Sequence, residues 1–306
     1  MQKTSKPIIF FGTEDFSAAS LTALIKAGFA IHAVVTKPDS RRGRGQKITQ
    51  PLIKQIALQH GILVWQPRKI LEILPLLQSL DAPTGVLVSF GKILPQSLIN
   101  CFKPGIINVH PSLLPKYRGP SPIESAILHG DTETGISIMQ LTQAMDAGPV
   151  YTQVEYPLRQ TETAADLYMT LGEIGSQILV DTLPTIQSGD LLPTPQNEKQ
   201  ATYCAMLSKD DGLLSPQTMT AQECQRKVRA YILYPKTRAT LYGQLCTLVE
   251  ARVAETARPS ELNLVCKDGK FLIIEKLIAA NGKSMSGEAF LRGYKKIKLR
   301  SYHGCS

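Results

Sequence analysis

Asn108 and His110 stand two residues apart where the apolar run Gly105-Ile-Ile-Asn-Val109 ends, and Asp146 follows within Met145-Asp-Ala-Gly148. On an extended segment, side chains two apart leave the same face. An amide that donates to an oxyanion, beside an imidazole that moves a proton, is equipment for acyl transfer. A carboxylate at 146 can orient the imidazole and stabilise its charged form. None of the three is informative alone, because a single Asn, His or Asp is usually a turn former, a core group or a surface residue. Their combination carries the reading.

These groups need a scaffold, and the first half of the chain reads as alternating strands and helices. Pro7–Phe11, Ile31–Thr36, Ile62–Trp65, Gly85–Ser89 and Ile106–Val109 are short apolar strand candidates, and Gly135–Leu141 is another that leads to Asp146. Between them, residues 14–27 carry Phe16, Leu21, Leu24 and Ile25 at helical spacing, and Thr49 and Pro51 open a helix that runs to Gly61. The pattern predicts an α/β fold, a Rossmann-like open and mostly parallel sheet, with ligands outside the carboxyl ends of its strands. His110 lies just past such an end. The longest helical pattern is Thr163–Ile186, with Thr161 or Thr163 as cap, and the stretch from Pro184 through Gln200 reads as a linker. A short helix (220–231) and glycine-punctuated β-rich runs then suggest a small β-barrel.

With 306 residues, 43% apolar and 19% charged, the chain has the composition of a globular protein able to bury a substantial core. It holds no apolar run of 18 residues, so a membrane span is not expected, and no signal peptide is read at the N-terminus. Cys101, Cys204, Cys224, Cys246, Cys266 and Cys305 are scattered without a Cys-x-x-Cys pair. Neither a metal site nor a disulfide framework is expected, which points to reduced thiols and a cytoplasmic setting. Residues 1–207 hold 17 Lys+Arg against 16 Asp+Glu, whereas residues 208–306 hold 17 against 9. That one-sided excess suggests a polyanionic partner.

The segment Asn108-Val-His-Pro-Ser-Leu-Leu-Pro-Lys-Tyr-Arg-Gly-Pro-Ser-Pro-Ile123, followed by His129-Gly-Asp, Thr134-Gly-Ile-Ser-Ile138 and Met145-Asp-Ala-Gly148, resembles the folate-dependent formyltransferases. The resemblance implies 10-formyltetrahydrofolate as formyl donor and Asn108, His110 and Asp146 as catalytic groups. It also implies folate contacts from Ser112, Leu113, Leu114 and Pro115, and from the backbone near Val88 and Gly91.

Family members differ in acceptor, and three features resemble the branch that acts on initiator methionyl-tRNA. The order of parts implies a catalytic domain (1–190), a linker (191–207) and a C-terminal OB-like tRNA-binding domain (208–306). The loop Lys37-Pro-Asp-Ser-Arg-Arg-Gly-Arg-Gly-Gln-Lys47 resembles a basic insertion that meets the tRNA acceptor end, which implicates Arg41, Arg42, Arg44 and Lys47. Asn281–Gly293 resembles that branch's C-terminal segment. The partners so implied are tRNA and folate, with no obligate protein partner. Ser40-Arg41-Arg42 makes the loop more basic than the family pattern, and tryptophans common near the domain junction are missing here. An amino-sugar or ribotide formyltransferase would share the core but not the basic loop and tail. A dinucleotide-dependent oxidoreductase is disfavoured because Gly12-Thr-Glu-Asp stands where Gly-x-Gly-x-x-Gly would be.

Overall fold

The computed structural model, which describes residues 6–42 and 47–293, pairs the apolar runs into one seven-stranded sheet. Its elements begin with β1 (Ile8–Gly12), α1 (Phe16–Lys26), β2 (Ile31–Val35), β3 (Ser40–Arg42), β4 (Lys47–Thr49), α2 (Leu52–Gln59) and β5 (Leu63–Trp65). They continue with α3 (Leu74–Gln78), β6 (Thr84–Val88), α4 (Gln96–Ile99), β7 (Ile106–His110), α5 (Pro122–His129), β8 (Glu133–Gln140), β9 (Val150–Pro157) and α6 (Ala164–Ser188). The order across the sheet is β5-β2-β1-β6-β7-β8-β9, while β3 and β4 form a hairpin of their own. From β5 to β7 all neighbours are parallel; β7 with β8 and β8 with β9 are antiparallel.

The burial of each strand explains how visible it is in sequence. β1 and β7 are buried along their whole length, as strands covered on both faces must be, and so read as unbroken apolar runs. β9 is an edge strand with no buried residue and half its positions exposed, and its mixed sequence gives no such signal. One face of the sheet packs Ile9, Phe11, Val35 and Ile106 against Leu77, Phe90, Leu98 and Phe102. Phe11 meets Phe90 and Phe102 edge-on, with ring centroids at 5.4 and 5.8 Å.

Chain order places the topological switch between β1 and β6, since β2 and β5 extend one way and β7 the other. The crevice at the carboxyl ends of these strands is where such sheets bind ligands. Ser89, just past β6 at φ 45°, accepts from the Thr13 and Glu14 amides and so ties that end to the start of α1.

Two local expectations need correction. Thr49 does not cap α2: it ends β4, and Pro51 holds the cap position without a side-chain bond. Pro184 does not start a linker, because α6 runs through it to Ser188. A helical proline costs about 3 kcal/mol. Leu179, Leu183 and Ile186 around it are all buried, at roughly 1.5–3 kcal/mol each, and that outweighs the loss.

By internal contacts the chain divides into two units. One comprises Met1–Pro122, Glu133–Pro157 and Leu167–Cys204; the other comprises Ile123–Thr132, Leu158–Asp166 and Ala205–Ser306. Residues 191–204 of the expected linker thus belong to the first unit. The second unit adds α7 (Ala221–Ala230), β10 (Arg238–Leu241), β11 (Gln244–Ala254), β12 (Asn263–Val265), β13 (Phe271–Ile278) and β14 (Ser284–Ser286), then a helix at 287–293. Its strands form an antiparallel half-barrel of the OB-like kind, in which β11 pairs along one edge of β13 while β12 and β14 share the other. Register shifts near Glu250 let the long β11 bend. Val228 and Cys224 of α7 join Leu248, Leu272 and Leu277 in its core. There Cys224 and Cys266 sulfurs lie 3.9 Å apart, and burial pushes the Cys224 thiol up to about 12.

Hydrogen-bonded caps hold the helix starts. Thr163 and Asp166 exchange bonds at the start of α6, and Thr220 and Glu223 form a capping box on α7. The Thr220 amide and hydroxyl hold the Glu223 carboxyl below its ordinary range. A carboxylate lowered in the folded state stabilises above the unfolded value, and the gain is lost as pH falls through the folded one. Thr220→Ala should therefore cost about 1 kcal/mol near neutrality. The gap from wild type should shrink on acidification to about pH 3, measured by urea titration at both pH values.

Candidate active site

β7 delivers Asn108 and His110 to the carboxyl edge of the sheet as same-face neighbours, and both are buried. Asp146 comes from the loop after β8, 38 residues beyond Asn108, and meets them there. Asn108 Nδ2 lies 3.4 Å from Asp146 Oδ1, and His110 Nδ1 lies 3.8 Å from Asp146 Oδ2. The predicted triplet is a physical cluster.

Its internal bonding differs from the simplest triad. His110 Nε2 is 2.9 Å from the Tyr117 carbonyl. A carbonyl only accepts, so Nε2 carries a proton and a neutral ring keeps its lone pair on Nδ1, facing the carboxylate. The tautomer is thus set by the backbone at 117, and Asp146 stands at ion-pair range rather than in hydrogen-bond contact. An imidazolium at Nδ1 would be attracted to that carboxylate. The ring can therefore take up a proton without turning.

Asp146 itself is closely held. It sits at φ 47°, in the left-handed region, and its Oδ2 accepts the Gly119 amide at 2.9 Å. Gly119 has φ 121°, and a Cβ there would lie 2.4 Å from the Cys204 carbonyl oxygen. Gly148 is similarly constrained, because a Cβ would lie 1.9 Å from the Gln140 carbonyl oxygen where the loop folds back on β8. The Ala-Gly that follows the aspartate in sequence reflects that tight return.

Segment 194–204, read from sequence as part of a linker, is built into this site. Thr194 exchanges backbone bonds with Val150; Thr202 bonds to Pro115 and Arg118; Cys204 bonds to Arg118. The Arg118 side chain is 1% exposed. Its guanidinium donates to Gln196 Oε1 at 2.9 and 3.0 Å, to both Glu198 oxygens at 2.7 and 2.9 Å, and to the Tyr203 hydroxyl at 3.1 Å. Arg118 thereby holds the Glu198 carboxyl below its ordinary range. Gln196 Nε2 donates onward to the Asp146 and Gly148 carbonyls at 2.8 and 2.7 Å. Sequence reasoning missed Arg118, Gln196, Glu198 and Tyr203. Arg118 stood inside the Asn108–Ile123 motif without a role, and the other three lie in or just past a short polar run after Pro195, where polar runs usually mark solvent.

The turn Ser112-Leu-Leu-Pro115 follows directly. Ser137 of β8 donates to the Ser112 carbonyl at 2.6 Å and accepts from the Leu114 amide at 3.0 Å and Gln153 Nε2 at 2.8 Å. Its hydroxyl is fully used, and the turn is fastened to the sheet. Val88, buried, ends β6 next to the strand that carries Asn108, while Gly91 is exposed just beyond. A cavity of about 410 Å³ opens beside the foot of the Asp146 loop, lined by Ile99, Phe102, Gln140, Leu141 and Thr142 among others. Neither the 112–115 turn nor Val88 and Gly91 line it.

Of the basic loop, Arg41, Arg42 and Lys47 have their backbone in the β3–β4 hairpin, with Arg42 opposite Lys47, and Arg44 lies outside the described residues. The hairpin's base is tied down: Asp39 accepts from Lys54 at 2.7 Å and Gln66 at 2.8 Å, and these bonds lower its carboxyl. Among the described residues no group of three or more His, Cys, Asp or Glu is arranged to hold a metal.

Comparison with known proteins adds family context. The family model described as formyl transferase matches residues 6–183, and that described as formyl transferase, C-terminal domain, matches 206–295. The methionyl-tRNA formyltransferase of Sulfurihydrogenibium sp. (strain YO3AOP1) is 36% identical over 302 residues, covering 94% of this chain and 97% of that one. The Geobacter metallireducens protein of the same name is 38% identical over 296 residues, covering 94% and 95%. Among solved structures, an N-formyltransferase from Helicobacter canadensis, in complex with folinic acid and dTDP-3-aminofucose, is similar with a TM-score of 0.68. At 19% identity over 88% of this chain and 98% of that one, it shows likeness of fold.

Ser137→Ala should leave the Leu114 amide and Ser112 carbonyl without this partner. A loss of about 1–3 kcal/mol is expected, read as a lower urea midpoint at unchanged slope.

Proposed function

The chain belongs to the methionyl-tRNA formyltransferase family, and from that premise we propose how its residues carry out the reaction. It transfers the formyl group of 10-formyltetrahydrofolate to the α-amino group of methionine on initiator methionyl-tRNA. The observation that carries the proposed roles is the meeting of Asn108, His110 and Asp146 at the end of β7.

The attacking amine must be neutral, and its ordinary pKa near ~7.7–8 makes modest assistance sufficient. A bond forms from the amine nitrogen to the formyl carbon, and the bond from that carbon to N10 of the folate breaks. Asn108 donates its amide to the oxygen that becomes negative. Removing one such donor typically costs about 10²–10³ in rate. His110 takes the proton that the amine loses at Nδ1, its other nitrogen being committed to Tyr117, and Asp146 stabilises the imidazolium. N10 leaves with the proton that the His110 imidazolium gives back, so the ring ends as it began. No covalent enzyme intermediate is needed, because the amine is the nucleophile.

Ser112, Leu113, Leu114 and Pro115 form the folate-contacting turn, with the backbone near Val88 and Gly91 at the neighbouring strand end. Arg41, Arg42, Arg44 and Lys47 meet the acceptor end of the tRNA, and the basic residues 208–306 meet its phosphates. A translation substrate supports a cytoplasmic setting.

Incubation with 10-formyltetrahydrofolate and charged initiator tRNA should give N-formylmethionyl-tRNA. Preferential formylation of an amino-sugar nucleotide or a ribotide amine would overturn the acceptor assignment. Asn108→Ala, His110→Ala and Asp146→Ala should each lower kcat by about 10² or more with tRNA affinity retained; wild-type turnover in any one removes its role. Arg44→Ala should raise KM for the tRNA while folate binding stays constant, as checked by steady-state kinetics in both substrates.

A further inference from the structure

Gln196 is bonded on both sides in a way that permits only one orientation. A guanidinium only donates, so the side-chain oxygen must face Arg118. That leaves the NH₂ group toward the carbonyls of Asp146 and Gly148, which only accept. Reversing the amide would set donors against donors and oxygen against oxygen. Gln196 therefore converts the fixed position of a buried arginine into a fixed position of the loop backbone at 146–148.

The same stretch of chain reaches Asp146 from a second side. Arg118 acts on the loop backbone through Gln196, and its neighbour Gly119 donates directly to the Asp146 carboxylate. Both grips bear on a residue in the left-handed region, which an aspartate adopts only when its surroundings hold it there. The Arg118–Glu198 pair is a poor source of stability, since the Glu198 side chain is 68% exposed and solvent screens it. Its geometric consequence is larger: it fixes the guanidinium plane, and with it the amide of Gln196.

We propose that Gln196 and Arg118 are positioning residues for the reaction, holding Asp146 at its distance from His110 through a relay of hydrogen bonds from the segment after α6. Neither touches the reacting atoms. This rests on the role given above to Asp146.

The test is Gln196→Glu in the full-length enzyme. The replacement keeps the shape and strengthens the bond to Arg118, but it sets an oxygen against two carbonyl oxygens. The expected result is a fall in kcat of about 10–10²-fold, the scale of a misplacement near 1 Å. KM for folate and tRNA should stay within about twofold and the melting temperature close to wild type, a split that a general loss of packing would not give. Should this variant fail to fold, Gln196→Met fills similar volume with neither donor nor strong acceptor, and the same loss of kcat is expected. Wild-type kcat in a folded variant overturns the relay. So does a loss confined to KM. Asp146→Ala measured in parallel separates the failures: if it is fully active the role of Asp146 is wrong, and if it is inactive while Gln196→Glu is not, only the relay is.

Discussion

The Gly119 amide donates to the Asp146 carboxylate across 2.9 Å, and the bond exists because residue 119 has no Cβ to strike the Cys204 carbonyl. Much of the site depends on that close approach. It brings the chain after the Ser112–Pro115 turn against the loop after β8, and Tyr117, two residues earlier, is thereby placed to receive His110 Nε2. One short segment, 117–119, sets both the tautomer of the imidazole and the seat of its carboxylate. Moving it would disturb two of the three groups together.

The direction of β8 makes such fastening necessary. Because β8 runs antiparallel to β7, it pairs Ser137 with His110 and carries the chain away from the carboxyl edge. Leu141 ends beside Ile106, at the opposite end of β7. The chain must then double back to bring Asp146 to Asn108. That return uses the positive φ of Asp146, the missing side chain of Gly148 and the two bonds from Gln196. A parallel strand would have placed the next loop at the catalytic edge without any of these.

Polar rather than apolar fastening has a physical rationale. A buried arginine must have its donors satisfied, because a guanidinium out of water cannot go without acceptors. Replacing the whole cluster by apolar side chains could be as stable, but dispersion contacts do not fix a rotation. Arg118, with acceptors on several sides, dictates which way Gln196 points and hence where two carbonyls lie. Hydrogen-bond direction, more than bond strength, is what this cluster contributes to the site.

Whatever repeats on the scale of one element was legible before folding. Period two put Asn108 and His110 on one face, apolar runs marked β1, β2, β6 and β7, and Thr161 or Thr163 announced the start of α6, where Thr163 makes the cap. The motif around Asn108-Val-His110 and Met145-Asp-Ala-Gly148 carried the family. The edge strand β9 and the helix running through Pro184 were not legible, since each depends on pairing or burial supplied by distant residues, and the hairpin β3–β4, paired within itself, carries no apolar run to mark it. That Tyr117 sets the tautomer of His110, and that Gln196, 50 residues past Asp146, lies against its backbone, emerges only in three dimensions. A polar residue looks the same in sequence whether it faces water or a carbonyl. Only folding brings the carbonyl.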